Sequence, residues 1–392
     1  LLTLRKYDGN GNLAGVKDPE SHATLYAYDG LNRRVKTTDA QNHAEKLYYD
    51  GNGNTVKTLD VQGLEHGFVY DDLNRLKVET AQGPGGPVIT LRSITYDDAY
   101  NTKSVTDAEN NATVVSYDRL NREKQVLDAL NQAVSVTWDG VNKTAITDEK
   151  SHTTTFIYDD INRIKSETRP LGQTVAYVYN DTLNTVEITD AKGQKKVNTH
   201  DALGRPVRAE YFDATPGLVK TIDYSYDGNG NLTGYSAGPI SAAFGYDGAD
   251  RKTSETVDYP AFQLGYSHGY LKDGSKKTYT GPDGQQHNYT YSTIGELNAV
   301  SVPGLGSLSY HYTVPHLPDH ITTPQGRRDF TYDPLRRVES IIDRNSLSQT
   351  VMEHVYTYDD VDNVLTKQTD RGNHAFSYDD AYQVKTADTI LG

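Results

Sequence analysis

The 392-residue sequence contains no cysteine, one methionine, one tryptophan and only 7 phenylalanines. Without cysteine there is no disulfide framework and no thiolate chemistry. Hydrophobic residues make up 35% of the chain, too few for a thick, dry core. No apolar run approaches the length of a membrane span. Basic residues are outnumbered: 39 Lys and Arg against 53 Asp and Glu leave a net charge of −14. That balance argues against a nucleic-acid surface, which needs a basic stripe, and against anionic membrane. No sustained helical stripe is visible, and 33 Gly and 14 Pro punctuate the chain throughout.

Tyrosine is the exception, at 30 residues. Its ring packs on apolar neighbours while its hydroxyl is expected to stay wet, which suits a thin sheet with water near both faces. Aromatic and β-branched residues are spread evenly, so the composition is not that of a disordered chain.

The tyrosines are periodic. An aromatic followed by Asp recurs at Tyr7-Asp8, Tyr28-Asp29, Tyr49-Asp50, Tyr70-Asp71, Tyr96-Asp97, Tyr117-Asp118, Trp138-Asp139 and Tyr158-Asp159. The phrase continues through Tyr179-Asn180, His200-Asp201, Tyr226-Asp227 and Tyr246-Asp247, and closes at Tyr332-Asp333, Tyr358-Asp359 and Tyr378-Asp379. Over residues 250–325 it weakens, with Tyr266, Tyr291 and Tyr312 read as holding the register. Steps are 20 or 21 residues, with four of 25 or 26. A fixed period of this length means a repeat architecture. The reading is one array over residues 1–392, of about eighteen repeats.

Residues 28–49 show what a unit builds. Tyr28-Asp29-Gly30-Leu31-Asn32-Arg33 is turn chemistry, because Asp and Asn bond their own backbone and tolerate positive φ. A period-2 run follows to Thr38, then a second turn at Asp39–Asn42, then a strand over Ala44–Tyr49. Each repeat is therefore a β-hairpin relayed into the next. The whole is an all-β chain of antiparallel strands, and a strip far beyond roughly ten strands must coil. The low apolar content favours a spiral wall around a hollow. Tyrosines in one register are expected to form a ladder of neighbouring rings. The long steps predict longer hairpins at Gly83–Pro87, Thr215–Gly217, Gly281–Gly284 and Asn345–Ser348.

The motif Tyr-Asp-x-x-Asn/Gly-Arg at this period resembles the RHS/YD-repeat family. The residues that carry the resemblance are Tyr28, Asp29, Asn32 and Arg33; Tyr70, Asp71, Asn74 and Arg75; Tyr117, Asp118, Asn121 and Arg122; Tyr158, Asp159, Asn162 and Arg163; and Tyr332, Asp333, Tyr358 and Asp359. The resemblance implies a continuous sheet spiralling into a hollow cocoon. In bacterial RHS effectors, type VI effectors included, and in the B and C components of Tc toxins, the shell encloses a toxic C-terminal domain. In teneurins a related shell belongs to an adhesion receptor. Bacterial members end in a core with paired Asp-Pro-x-Gly motifs that cleaves itself. Asp333-Pro334-Leu335-Arg336 lies in ordinary repeat register and is not such a pair, so no catalytic residue is carried over.

The implied partner is the enclosed toxin domain of the same parent chain, with plug or secretion domains of that parent as further partners. No cofactor is expected. The sequence starts at Leu1, stops partway through a repeat after Tyr382 and shows no signal peptide. It is read as a piece of a larger protein exported from a bacterial cell.

Other motifs read as repeat furniture. Gly265-Tyr266-Ser267-His268-Gly269 matches a nucleophile elbow, but strand and turn residues follow it where a helix is required. Asp8–Asn12, Asp50–Asn54 and Asp227–Asn231 open like calcium loops, yet lack Gly at the sixth position and Glu at the twelfth. The pairs Asp97-Asp98, Asp359-Asp360 and Asp379-Asp380 recur with the repeat and read as turn caps. Arg327-Arg328 with Arg336-Arg337 reads as a solvated strand face. The 12 His residues show no H-x-H or H-E-x-x-H spacing. A non-enzymatic shell is the leading function; an adhesin or carbohydrate-binding repeat protein with outward tyrosines is the alternative, and a hydrolase lacks any constellation above the repeat background.

Overall fold

In a computed structural model, residues 2–215 and 217–390 are described; Pro216 of the predicted long hairpin and the ends of the predicted array lie outside them. Thirty-six antiparallel β-strands form one sheet, from Leu4–Tyr7 to Val384–Ile390, each paired with its neighbours in sequence. One 3-10 turn at Pro170–Gly172 interrupts the pattern. Among the described residues no helix is long and apolar enough to cross a membrane.

Most repeats use two kinds of turn. At the Tyr-Asp turn, Asp29 N–H donates to the Arg33 carbonyl at 2.9 Å and Asn32 N–H to the Asp29 carbonyl at 3.0 Å. Asn32 takes φ 60°, a left-handed conformation that Asn enters more readily than most residues. The strand register slips at Tyr28, so the turn is a type I turn closed by a bulge. The same loop, at Asp39–His43, joins this hairpin to the next without the slip.

The long steps lengthen strands as predicted at three places: Leu76–Gln82 with Val88–Tyr96, Pro206–Phe212 with Leu218–Tyr226, and Val338–Asn345 with Thr350–Tyr358. The fourth expectation is corrected. Gly281–Gly284 lies in an ordinary turn, and the extra residues lengthen Lys252–Asp258 and Gln263–Tyr270 instead. The reason is a misassigned register: Tyr270, not Tyr266, holds the repeat position, donating to the Lys252 carbonyl at 2.7 Å.

The two faces differ. The signature tyrosines share a half-buried face with the residue two before each: Tyr26, Phe68, Val115, Phe156, Phe330 and Tyr356. The intervening Val69, Ser116, Ile157 and Val178 are exposed. Among the described residues the fully covered apolar side chains are small, such as Ala81, Ala209 and Ala242. The accessible surface is 23575 Å², about half as much again as the roughly 15,000 Å² of a compact protein of this mass. The protein is a sheet with water on both sides.

That sheet curls until it meets itself. Glu20 accepts from the Lys272 N–H at 2.7 Å across 252 residues, and Glu109 from the Asp360 N–H at 2.9 Å across 251. Both pairs of turns are 23 strands apart. At about 4.8 Å per strand one circuit is about 110 Å round, or about 35 Å across if circular.

Candidate functional site

The recurring chemistry sits along the two edges of the ribbon, where the turns line up. In each Tyr-Asp turn the Asp carboxylate closes the loop. Asp71 Oδ1 accepts the N–H groups of Leu73 and Arg75, both at 2.9 Å, and Oδ2 takes the Arg75 guanidinium at 2.7 Å. Asp29, Asp118 and Asp159 do the same with Arg33, Arg122 and Arg163. Asp333 does so with Arg337. Asp359 closes its turn on Asn363 at 2.9 Å. The arginine beside Asp71 and Asp118 holds each carboxyl below its ordinary range, and the backbone N–H of Arg33 and Arg163 is the leading cause at Asp29 and Asp159.

The residue after the left-handed position links one repeat to the next. Arg33 lies 4.7 Å from the Tyr49 ring centre and donates to the Asp50 carbonyl at 2.9 Å. Arg75 covers Tyr96 at 4.3 Å, Arg122 covers Trp138 at 4.8 Å, Arg163 covers Tyr179 at 4.1 Å and Arg337 covers Tyr358 at 4.8 Å. Where Asn replaces Arg, its amide makes the same bridge. Asn12 and Asn54 donate to their own Asp and also to the side chains of Asn32 and Asn74, each at 2.8 Å. Asn121 and Asn162 receive Asn101 and Asn142 at 3.1 and 2.7 Å.

The tyrosine hydroxyls are not left to water. Tyr28 donates to the Leu13 carbonyl at 2.9 Å, Tyr70 to Thr55 at 3.0 Å, Tyr158 to Lys143 at 2.8 Å, Tyr332 to Pro318 at 2.9 Å and Tyr358 to Val338 at 2.7 Å. Trp138 substitutes its indole N–H on the Glu123 carbonyl at 2.9 Å. Tyr117 keeps the position on the same face. The expected wet hydroxyls and ring-on-ring ladder are both corrected. Where the preceding repeat carries Arg, as before Tyr49, Tyr96, Tyr179 and Tyr358, a guanidinium lies against the ring, and the hydroxyl reaches a backbone carbonyl that the bulged ladder leaves open.

The two edges meet in a seam between successive circuits. Arg336 pairs with Asp60, Gln62 reaches the Pro315 carbonyl, and Gly83 lies against Pro334, where a Cβ would collide with the Pro334 backbone. Tyr382 donates to Asp107 and accepts from Asn111 at 2.9 Å. Burial, then the Asp107 bond, pushes its hydroxyl up to about 12. Pro84, Leu317 and Phe330 add an apolar cleft beside Gln62 and Arg336.

The other sequence candidates fall into place on this frame. Gly265–Gly269 lies inside the strand Gln263–Tyr270, with no strand-to-helix turn. The Asp of each calcium-like turn is taken up by turn N–H groups and an Asn amide, as at Asp8 and Asp227, with Gly11 and Gly230 at positive φ. Each arginine of the basic cluster is paired within the chain: Arg327 with Asp329, Arg328 with Asp343 at 2.6 and 2.7 Å, Arg336 with Asp60 and Arg337 with Asp333. One group escaped the sequence reading. His311, Asp319 and His320 place their ligand atoms within 4.8 Å of one another. Their spacing matches no linear metal motif, because pairing across an irregular loop brings them together.

Comparison with known proteins agrees with this geometry. Residues 7–44 match the family model described as RHS Repeat, and residues 89–209 that described as Teneurin YD-shell. No curated protein matches the sequence. The crystal structure of TcdB2-TccC3-TEV is similar over 99% of this chain, with TM-score 0.64 and 12% identity. The Photorhabdus luminescens Tc holotoxin pore is similar over 99%, with TM-score 0.58 and 12% identity. The chain spans 23% and 26% of the length of those two neighbours.

Proposed function

We propose, from the premise that this chain belongs to the RHS/YD-repeat family, that it is a wall: a non-enzymatic shell segment within a longer protein exported from a bacterial cell. The observation that carries the reading is a one-layer sheet, wet on both faces, whose circuits touch edge to edge 251 to 276 residues apart. Such a sheet encloses volume and buries little of itself. The enclosed partner in this reading is a toxin domain of the same parent chain. Its support is the likeness to two toxin assemblies, which is a likeness of fold.

The repeat residues have a structural role in the proposal. Tyr, Asp, Asn and Arg of each turn fasten neighbouring hairpins, so their recurrence needs no active site. The carbohydrate-binding alternative requires free tyrosine faces, and Tyr49, Tyr96, Tyr179, Tyr226, Tyr270 and Tyr358 each have a guanidinium over the ring.

Reading the coding sequence on both sides of these residues, and digesting the complete polypeptide with protease, tests the container. The expected result is further Tyr-Asp repeats and a distinct tail that resists digestion until the shell is unfolded. A tail cleaved as fast inside the whole protein as when expressed alone would overturn it.

A further inference from the structure

Between Tyr310 and Ile321 the repeat is broken. The residue after the register tyrosine Tyr312 is Thr313, so the turn has no carboxylate of its own. Asp319 supplies one from the far side of the loop, and its Oδ1 accepts the Thr313 N–H at 3.0 Å. It also faces two imidazoles. His311 and His320 sit directly opposite each other across the strand pair Gly306–His311 and His320–Thr323. Their rings stack with centres 4.5 Å apart and planes at 21°. Nδ1 of His311 lies 2.7 Å from Asp319 Oδ1, and Nδ1 of His320 lies 2.9 Å from Oδ2.

The ordinary His–Asp turns of this protein differ. His22, His43 and His152 each meet one carboxylate, that of their own turn, four residues earlier. One imidazole completes a turn; a second on the opposite oxygen of the same carboxylate has no counterpart among those three turns. We propose that His311, Asp319 and His320 form a binding site for a divalent first-row transition-metal ion, with Zn²⁺ the best match.

The geometry and the donor set agree. Zn²⁺ takes imidazole nitrogen and carboxylate oxygen at about 2.0–2.2 Å. Two ligand atoms at that distance and at a tetrahedral angle are about 3.4 Å apart, so the nitrogen–oxygen separations of 2.7 and 2.9 Å would open as an ion enters between them. Binding there needs the two imidazole nitrogens, which lie within 4.8 Å of one another, to converge on one ion, and Nδ1 atoms without protons, the proton of each neutral ring passing to Nε2. Two nitrogens and a carboxylate suit zinc, cobalt or nickel better than calcium or magnesium, which take oxygen. His320 and Asp319 are largely covered and His311 is more open, so an ion has a route in.

The site has a structural consequence. It closes the base of the loop whose tip is held by Glu296 on the His316 N–H at 2.7 Å and by Gln62 of the preceding circuit on the Pro315 carbonyl. A bound ion would fasten this loop where it lacks the usual Asp and where it serves the seam.

The test is to strip the untagged full chain with chelator and titrate it with Zn²⁺ alone by calorimetry. His311→Gln, Asp319→Asn and His320→Gln serve as variants, with His152→Ala as the turn control. The expected result is one saturable site per chain, weakened at least tenfold by each of the three substitutions and unchanged by His152→Ala. On the unaltered chain, imidazole resonances of His311 and His320 should shift first and together; this readout stands if a variant fails to fold. No saturable binding, or first shifts at other histidines, overturns the proposal.

Discussion

A single carboxylate does most of the local work in this protein. In most Tyr-Asp turns it receives two backbone N–H groups and one side chain, and Asp8, Asp29, Asp50, Asp71, Asp97, Asp118, Asp159 and Asp227 are held below the ordinary value; Asp247, beside Arg251, falls from 3.8 to about 2. A carboxyl whose folded value is depressed stabilises the fold above its unfolded value and ceases to do so as pH falls through the folded one. Stability should therefore be flat from neutrality down to about pH 4, then fall steeply toward about pH 2, as many turns titrate together. Urea midpoints measured across that range check this. Asp71→Ala should lower the melting temperature and speed amide exchange at Leu73 and Arg75 several-fold while distant repeats stay unchanged. Leu171 gives the opposite case. It is 99% exposed with φ 71° in the Pro170–Gly172 turn, where nothing rewards its side chain. Leu171→Asn should stabilise by about 1 kcal/mol, seen as a higher urea midpoint with an unchanged slope.

At the scale of the hairpin, most of the structure is legible in the sequence, because each turn is coded locally. The strands Arg34–Thr38 and Ala44–Tyr49 lie where alternation places them. Register failed only where the code fails. Leu271 replaces Asp after Tyr270, and the Tyr-x-x-x-Tyr run from Tyr266 offers two candidates that only pairing separates. The half-buried residue two before each tyrosine was a readable signal, since Phe68, Phe156, Phe244, Phe330 and Phe376 all occupy it. His311, Asp319 and His320 were not readable, because a loop of irregular length sets their approach. The seam was unreadable for a larger reason. Its pairs are more than 250 residues apart, and their meeting depends on twist summed over 23 strands. It has its own signature: Glu109→Ala removes the acceptor for the Asp360 N–H but leaves both hairpins whole. Losing that exposed bond is worth about 1 kcal/mol, or roughly fivefold faster exchange at Asp360 with little change at Asp71.

At the scale of the molecule, stability is a sum of neighbour links, because no thick core exists to concentrate it. Each hairpin is tied to the next by a tyrosine hydroxyl and by an Arg or Asn bridge, and each circuit to the next by turn-to-turn contacts. Closure is the claim on which the shell reading rests, and the absence of cysteine makes it directly measurable. Spin labels on the double variant Glu20→Cys, Lys272→Cys report one distance and no other. The account predicts a narrow distribution centred below about 25 Å, against the roughly 110 Å that separates these turns along an uncoiled ribbon of 23 strands. A broad distribution beyond about 60 Å would show that the ribbon does not close on itself, and would contradict the wall.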